Sequence, residues 1–310
     1  LHKEFHQIEW DKQLQEDWYQ LLRLAMREDL GDTGDWTTRA LVPDDAIAKA
    51  SVTVRSSGVI AGLVAMEDTL EFFDARLGWT PECKDGQSVQ SGQCVGHIEG
   101  PTQSLLIAER TVLNLLGHLS GIATLTRQYV ELISSTKAKI YDTRKTTPGW
   151  RRLEKYAVRC GGGQNHRTGL FEAILIKDNH LAHGAQASAD KRFSPAEAVS
   201  LARQYVATHV PATSQEGMII EVEIDRLDQL DEVLSATPDI VLLDNMSPAE
   251  LQNAVSRRNA CNRSISLEAS GGVNLTTVAA IAKTGVDRIS VGALTHSAAC
   301  LDIGLDWHSN

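Results

Sequence analysis

The stretch DIVLLDNMSPAELQNAVSRR, residues 239–258, decides the fold. Its first half is a short apolar run ending in Asp244-Asn245, the pattern of a buried strand that delivers polar groups to a loop. Its second half opens on Ser247-Pro248-Ala249-Glu250, where the serine hydroxyl and the glutamate carboxylate each satisfy a backbone N–H and proline occupies a position that needs none. One strand and one capped helix are a single βα unit. The pattern recurs. Working outward, AKIYDTR (138–144), AILIKDN (173–179), MIIEVEID (218–225), SISLEAS (264–270) and RISVGAL (288–294) read as further strands. Between them PGWRRLEKYAVRC, SPAEAVSLARQYVA, RLDQLDEVLS and LTTVAAIAKTG have helical periodicity, and the second repeats the Ser-Pro-Ala-Glu start at 194–197. Alternating units imply parallel strands, and six in series predict a barrel more than an open sheet.

The part before residue 130 follows different rules. WYQLLRLAMRE and AMEDTLEFFDARL read as helices, KASVTVRSSGVIAGL as strand with a glycine turn, and residues 92–133 as a strand, a Gly-Pro break and two long helices. This predicts an α+β domain over residues 1–130, with the tail at 295–310 packing back on it, and a β/α domain over 131–294.

Composition excludes several classes. The chain of 310 residues carries a net charge of −10, which argues against a general nucleic-acid binder. No stretch approaches the ~18 uninterrupted apolar residues of a membrane span. The amino terminus lacks the basic-then-apolar layout of a secretory signal, so a cytoplasmic protein is expected. Five scattered cysteines without a Cys-x-x-Cys pair speak against structural zinc and a disulfide framework. The charge is uneven, however: residues 137–177 hold ten Lys/Arg against three Asp/Glu, so this window is +7 and the remainder −17. A basic island in an acidic chain points to a local anionic ligand.

The strand ends locate it. In a β/α barrel the site is built at the carboxyl ends of the strands. Those ends read Asp142-Thr143-Arg144-Lys145, Lys177-Asp178-Asn179-His180, Glu221 and Glu223, Asp244-Asn245, Glu268 to Gly272, and Ser290 to Ala293. Arg144, Lys145, His166, Arg167 and Lys177 suit carboxylates, Arg because its planar fork donates two parallel hydrogen bonds. Asp178, Glu223 and Asp244 suit Mg²⁺ and sugar hydroxyls. Either Glu221 or Glu223 could face inward, since alternate residues of a strand share a face. ASGG (269–272) and VGA (291–293) offer bare N–H groups for phosphate. The loop GGGQNHRTG (161–169) is read as flexible, and Pro148 as starting a helix directly after the Arg144-Lys145 pair. His97, His118 and His183 are expected to be surface or core residues, and Cys160 a packed helix-end thiol.

DTRKTTPGWRRLEKYAVRCGGGQNHRTGLFEAILIKDNH, together with EDLGDTGDWTT (28–38), AERTVLN (108–114), EVEID (221–225), VLLDN (241–245), LEASGGV (267–273) and ISVGALTH (289–296), resembles the quinolinate phosphoribosyltransferase family over nearly the whole chain. The resemblance implies an amino-terminal α/β sandwich domain and an open, incomplete β/α barrel. It implies conversion of quinolinate and phosphoribosyl pyrophosphate, with Mg²⁺, into nicotinate mononucleotide, pyrophosphate and CO₂. Carried over by position, Thr143, Arg144, His166, Arg167 and Lys177 would hold quinolinate, and Arg110 would reach the partner's site in a homodimer or larger assembly. Lys145, Asp178, Glu223, Asp244, Ser270, Gly271, Gly272, Gly292, Ala293 and His296 would bind phosphoribosyl pyrophosphate. Glu223 and Asp244 would face the metal, directly or through water, and Lys145, Lys177, Glu223 and Asp244 would carry the chemistry.

Overall fold

A computed structural model of the chain describes residues 3–184 and 193–308. They form two compact units. One contains the residues up to Gln7, Gln128–Arg144 and Gln164–Gly292; the other contains Ile8–Arg127, Lys145–Gly163 and the residues from Ala293 onward. The chain therefore passes between the units several times, where the sequence suggested a boundary near residue 130 and a return of the tail near 295.

The first unit holds six strands: β1 (Lys139–Tyr141), β2 (Ala173–Ile176), β3 (Ile219–Ile224), β4 (Ile240–Asp244), β5 (Ser266–Ser270) and β6 (Arg288–Ser290). All pair in parallel, in the order β1-β6-β5-β4-β3-β2. Because the first two strands of the chain lie at opposite edges, the curled sheet is an α/β barrel left open between them. Both Ser-Pro-Ala-Glu starts form capping boxes: Ser194 and Ser247 each accept from the N–H three residues on, and Glu197 and Glu250 accept from the serine N–H at 2.8 Å.

Beside β1 the loop at 161–169 adds a short parallel pairing. Gln164 N–H donates to Ile140 O (2.8 Å) and Asp142 N–H to Gln164 O (3.1 Å). This carries Asn165, His166 and Arg167 into the buried interior, where each is at most 6% exposed. The loop is pinned rather than flexible.

Under the strands lies a floor that the sequence did not advertise. Phe5 packs with Ala173, Ile219 and Ile240 at the amino ends of β2, β3 and β4. Lys3 Nζ donates to Met218 O (2.7 Å), just ahead of β3, and pairs with Asp239 (3.2 Å), just ahead of β4.

The second unit contains a four-stranded antiparallel sheet in the order Ile303–Trp307, Ile47–Val54, Cys94–Pro101, Gly78–Pro81. Helices Lys12–Leu30 and Met66–Phe73 belong to it, joined where Trp18 Nε1 donates to Thr69 Oγ1 at 2.8 Å. The two helices expected between 102 and 133 are a single one, Thr102–Leu132. Gly117 and Gly121 do not break it. They let residues 299–301 pass against it, since a Cβ would lie 3.0 Å from Leu301 O at position 117 and 2.1 Å from Ala299 O at position 121. The helix after Pro148 also begins later than its sequence suggests, spanning Arg151–Cys160. Gly149 takes φ 83°, a left-handed turn that delays the start. Buried Glu154 then accepts from Thr147 N–H (3.1 Å) and faces His118 Nε2 (3.1 Å), fixing that turn.

Candidate active site

Asp142 opens the basic stretch, yet it serves the scaffold. Fully buried, it accepts from His166 N–H (2.8 Å) and Asn165 Nδ2 (2.6 Å), so it ties the 164–167 segment to the end of β1. Thr143 and Arg144 follow, half-buried. Arg167 is buried; its Nη1 donates to Ala173 O at 3.0 Å, while its buried Nε has no hydrogen-bond partner. Burial, and then the like charge of Arg144, depress the Arg167 pKa, while Glu221 and Glu172 oppose the fall. Two guanidinium groups are thus close enough to repel in a partly dry place.

Along the ends of β2, β3 and β4 the rim changes sign. Lys177, after β2, reaches Glu223 Oε2 on β3 at 3.0 Å. Burial raises the Glu223 pKa and Asp244 and Asp178 raise it further, partly offset by the Lys177 hydrogen bond and charge. Carboxylates from the ends of three strands are thus gathered, with Lys177 answering them among the described residues. Asp244 is oriented by its neighbour, since Asn245 Nδ2 donates to Asp244 Oδ2 (2.7 Å). Ser270 and the exposed Gly271-Gly272 turn follow on β5, both glycines at positive φ.

Glu221 and Glu223 both face inward, two residues apart on β3, at different depths. Glu223 is at the rim with its side chain 14% exposed, and Glu221 is fully buried. Glu221 Oε2 lies 3.0 Å from His166 Nε2, and Glu268 Oε1 lies 3.5 Å from the same atom. Glu268 also takes Arg288 Nε at 2.7 Å and the Ser290 hydroxyl. Arg288 Nη1 continues to Glu4 Oε2 at 2.9 Å, and its guanidinium lies 3.7 Å over the Tyr141 ring. The interior is therefore a connected polar chain in which carboxylates alternate with their donors: Glu4, Arg288, Glu268, His166, Glu221. Burial opposes charge on His166, but the two carboxylates outweigh it and raise its pKa. Burial likewise opposes charge on Glu268, and His166, Arg288 and Ser290 bring its pKa below the usual range.

His166, Glu221 and Glu268 have the spacing of a metal cluster, their ligand atoms lying within 4.8 Å of one another. The hydrogen bonds argue otherwise. Arg167 N–H donates to His166 Nδ1 (2.8 Å), which puts the ring proton on Nε2, the atom aimed at the carboxylates. A cation would need that nitrogen bare.

Gly292 closes the series in this unit, half-buried after β6. The other unit carries four expected residues. Arg110 is exposed on Thr102–Leu132, and Lys145 is exposed with its carbonyl accepting from Thr295 Oγ1 at 2.7 Å. Ala293 is half-buried, and exposed His296 faces Ser297 Oγ through Nδ1 at 2.7 Å. Glu268, Arg288 and Glu4 were missed as parts of the site's support. The first two sit inside apolar strand runs, and Glu4 precedes any periodic element.

An open α/β barrel with cations at one group of strand ends and carboxylates at another is the framework of an enzyme that holds an acidic substrate beside a sugar or metal ligand. Comparison with known proteins narrows this. Residues 35–120 match the amino-terminal domain of quinolinate phosphoribosyl transferase, and residues 122–306 its carboxyl-terminal domain. The chain belongs to the quinolinate phosphoribosyltransferase family. It is 44% identical to the nicotinate-nucleotide pyrophosphorylase (carboxylating) of Mycobacterium leprae, over 92% of this chain and 95% of that protein. It is 40% identical to a probable enzyme of that name from Bacillus subtilis, over 92% of each. Its fold is similar to the nicotinate-nucleotide pyrophosphorylase of Francisella tularensis, with a TM-score of 0.84 at 36% identity, covering 95% of this chain and 97% of that one. Among the described residues no helix is long and apolar enough to cross a membrane.

Proposed function

We propose that the protein converts quinolinate and phosphoribosyl pyrophosphate into nicotinate mononucleotide, pyrophosphate and CO₂. The observation that carries this reading is the buried Arg167, pinned to β2 with its Nε unpartnered and with the like charge of Arg144 near it, in the same unit as the clustered carboxylates of Asp178, Glu223 and Asp244. Quinolinate has two adjacent carboxylates and therefore needs more than one fixed cation. Arg144, Arg167 and Lys177 supply them, with Thr143 and His166 completing the seat. Lys145, the next residue along the chain from Arg144, is assigned to the phosphoribosyl substrate with Ser270, Gly271, Gly272, Gly292, Ala293 and His296.

The donor set near Glu223 and Asp244 consists of hard carboxylate oxygens, and the charges of Asp244 and Asp178 raise the proton affinity of Glu223, which fits Mg²⁺. Bound there, the ion would neutralise charge on the diphosphate leaving group. The residues do the rest by position. The pyridine nitrogen forms the bond to the anomeric carbon as the bond to pyrophosphate breaks, and Glu223 and Asp244 hold the ribose hydroxyls and stabilise positive charge on the ring. Once the nitrogen is cationic, the bond from C2 to its carboxylate breaks, CO₂ leaves, the electron pair stays at C2, and a proton from water takes its place. Ribosylation thus precedes decarboxylation.

The family suggests a homodimer in which Arg110 completes the partner's quinolinate seat. The test of the whole reading is direct. Protein with Mg²⁺ and both substrates should yield nicotinate mononucleotide and CO₂ together. In Arg167→Ala an unpaired carboxylate should weaken quinolinate binding by ~2–5 kcal/mol while the fold survives. Near-normal quinolinate affinity in that variant refutes the seat, and free nicotinate formed without phosphoribosyl pyrophosphate refutes the order of steps.

A further inference from the structure

The segment Lys3–Gln7 lies outside both family-matched ranges, which begin at residues 35 and 122. It nevertheless grips the segment that carries His166 and Arg167, proposed above to hold the diacid. Gln7 brackets Asn165: its Oε1 accepts from Asn165 N–H (2.8 Å), and its Nε2 donates to Asn165 O (3.1 Å) and back to Phe5 O (2.9 Å). Phe5 stacks on the imidazole of His166 with ring centroids 4.3 Å apart, and the Arg288 guanidinium lies 5.0 Å from the same phenyl ring. His6 N–H donates to Glu172 Oε1 (3.0 Å), while Glu172 Oε2 accepts from Thr168 Oγ1 at 2.8 Å, which holds the far side of the loop. Glu4 anchors the charged chain through Arg288 and takes Tyr141 Oη at 2.9 Å.

We propose that Glu4, Phe5 and Gln7 are positioning residues, and that the amino-terminal segment is a built-in brace setting the orientation of His166 and Arg167 for the acidic substrate. The proposal rests on the assignment of Arg167 to quinolinate above. The brace acts at a distance from the sugar phosphate, because its bonds reach residues 165–172 and the floor of the barrel rather than Glu223, Asp244 or the glycine turn. Its effect is therefore selective. A segment that served only to hold the barrel together would disturb both substrates alike.

The test uses the full chain with two substitutions, Gln7→Ala and Phe5→Leu, the second keeping an apolar side chain in the floor. Melting temperatures confirm folding, and steady-state kinetics are taken for each substrate. Losing the Gln7 bonds should raise KM for quinolinate by about tenfold, given roughly 0.5–1.5 kcal/mol per hydrogen bond. KM for phosphoribosyl pyrophosphate should stay within about twofold, each bond lost at a distance coupling weakly. Gln7→Glu, which keeps the acceptor for Asn165 N–H but not the donor, should fall between wild type and Gln7→Ala. Equal shifts for both substrates, or none, overturn the brace. If Phe5→Leu proves too unstable, the half-exposed Gln7 decides alone. Arg167→Ala is run alongside: if it too leaves the quinolinate KM unchanged, the assignment of the seat has failed, whereas a large Arg167 effect without a Gln7 effect removes only the brace.

Discussion

Two adjacent glycines after β5 allow a controlled test of how the rim is built. Gly271 has φ +87° and Gly272 φ +62°, so alanine at either position incurs the left-handed penalty of ~1–2 kcal/mol. They differ in what a methyl group would meet. At 272 nothing lies within 4 Å, whereas at 271 the new Cβ would stand 2.1 Å from Asn245 Oδ1, 2.5 Å from its Cγ and 3.0 Å from its backbone nitrogen. Asn245 cannot simply swing away. It sits at φ 55°, its N–H donates to Ser270 O at 2.8 Å, and its side chain orients Asp244. Gly271→Ala therefore adds a steric cost of ~1–3 kcal/mol to the backbone term. At roughly 2–4 °C per kcal/mol, it should melt ~2–12 °C below Gly272→Ala. Because the displaced asparagine holds Asp244, Gly271→Ala should also raise KM for phosphoribosyl pyrophosphate with little change for quinolinate. The assays are thermal melting without ligand and steady-state kinetics. Equal melting of the two variants, or a lower value for Gly272→Ala, would refute the contact with Asn245 as the cause.

Other outcomes follow from single features of the chain. If Arg110 serves a partner's site, Arg110→Ala and Glu223→Ala are each inactive alone, and mixing and re-equilibrating them restores activity; a mixture as dead as its parts sinks the donation. Burial, then the charge of Asp85, pushes the Cys160 thiol up to about 12, so iodoacetamide near pH 8 should label exposed Cys261 and Cys300 and spare Cys160, and equal labelling of all three contradicts this. The Arg76 guanidinium and the Ser104 hydroxyl hold the Asp74 carboxyl well below its usual range. The unfolded chain then takes up that proton first, so the stabilisation is present above the unfolded pKa of about 3.9 and is lost as pH falls toward the depressed folded value. Urea midpoints at about pH 3 and about pH 6 should differ less for Asp74→Asn than for the wild type, and an unchanged difference counts against it.

The barrel was legible because each of its units carries its own local signals. An apolar run followed by Ser-Pro-Ala-Glu specifies a strand end and a helix start without reference to anything distant. The rim was legible for the same reason, since Asp178, Glu223 and Asp244 stand where apolar runs stop. What escaped the reading depends on long-range contact. Gln7 meets Asn165 across 158 residues of chain, and neither neighbourhood has a periodic pattern that would pair them. Glu221 and Glu268 were read as strand-end residues but not as buried partners of His166, and Arg288 lies within a strand, where an apolar run with an occasional charge looks like alternation toward solvent. Two helices were expected where one runs from Thr102 to Leu132, and the reason for Gly117 and Gly121 within it, the passage of residues 299–301, is invisible until that other segment is in place.

The charged interior is a choice that most barrels of this kind avoid, filling the same layers with branched aliphatic side chains. Burying Glu221, Glu268, Arg288 and His166 costs desolvation that their mutual attraction only partly offsets, so stability alone does not account for them. Their effect on Arg167 does. Burial and Arg144 both work against its positive charge, and Glu221 is the strongest influence that sustains it. Were Glu221 alone and free to swing to Arg167, it would neutralise the cation and close the seat to a diacid. Held 3.0 Å from His166 Nε2, it supports the charge from behind without occupying the front. His166 is in turn steadied by Glu268 and by the Phe5 ring, so the network running from Glu4 to Glu221 holds the segment that carries Arg167 in one orientation.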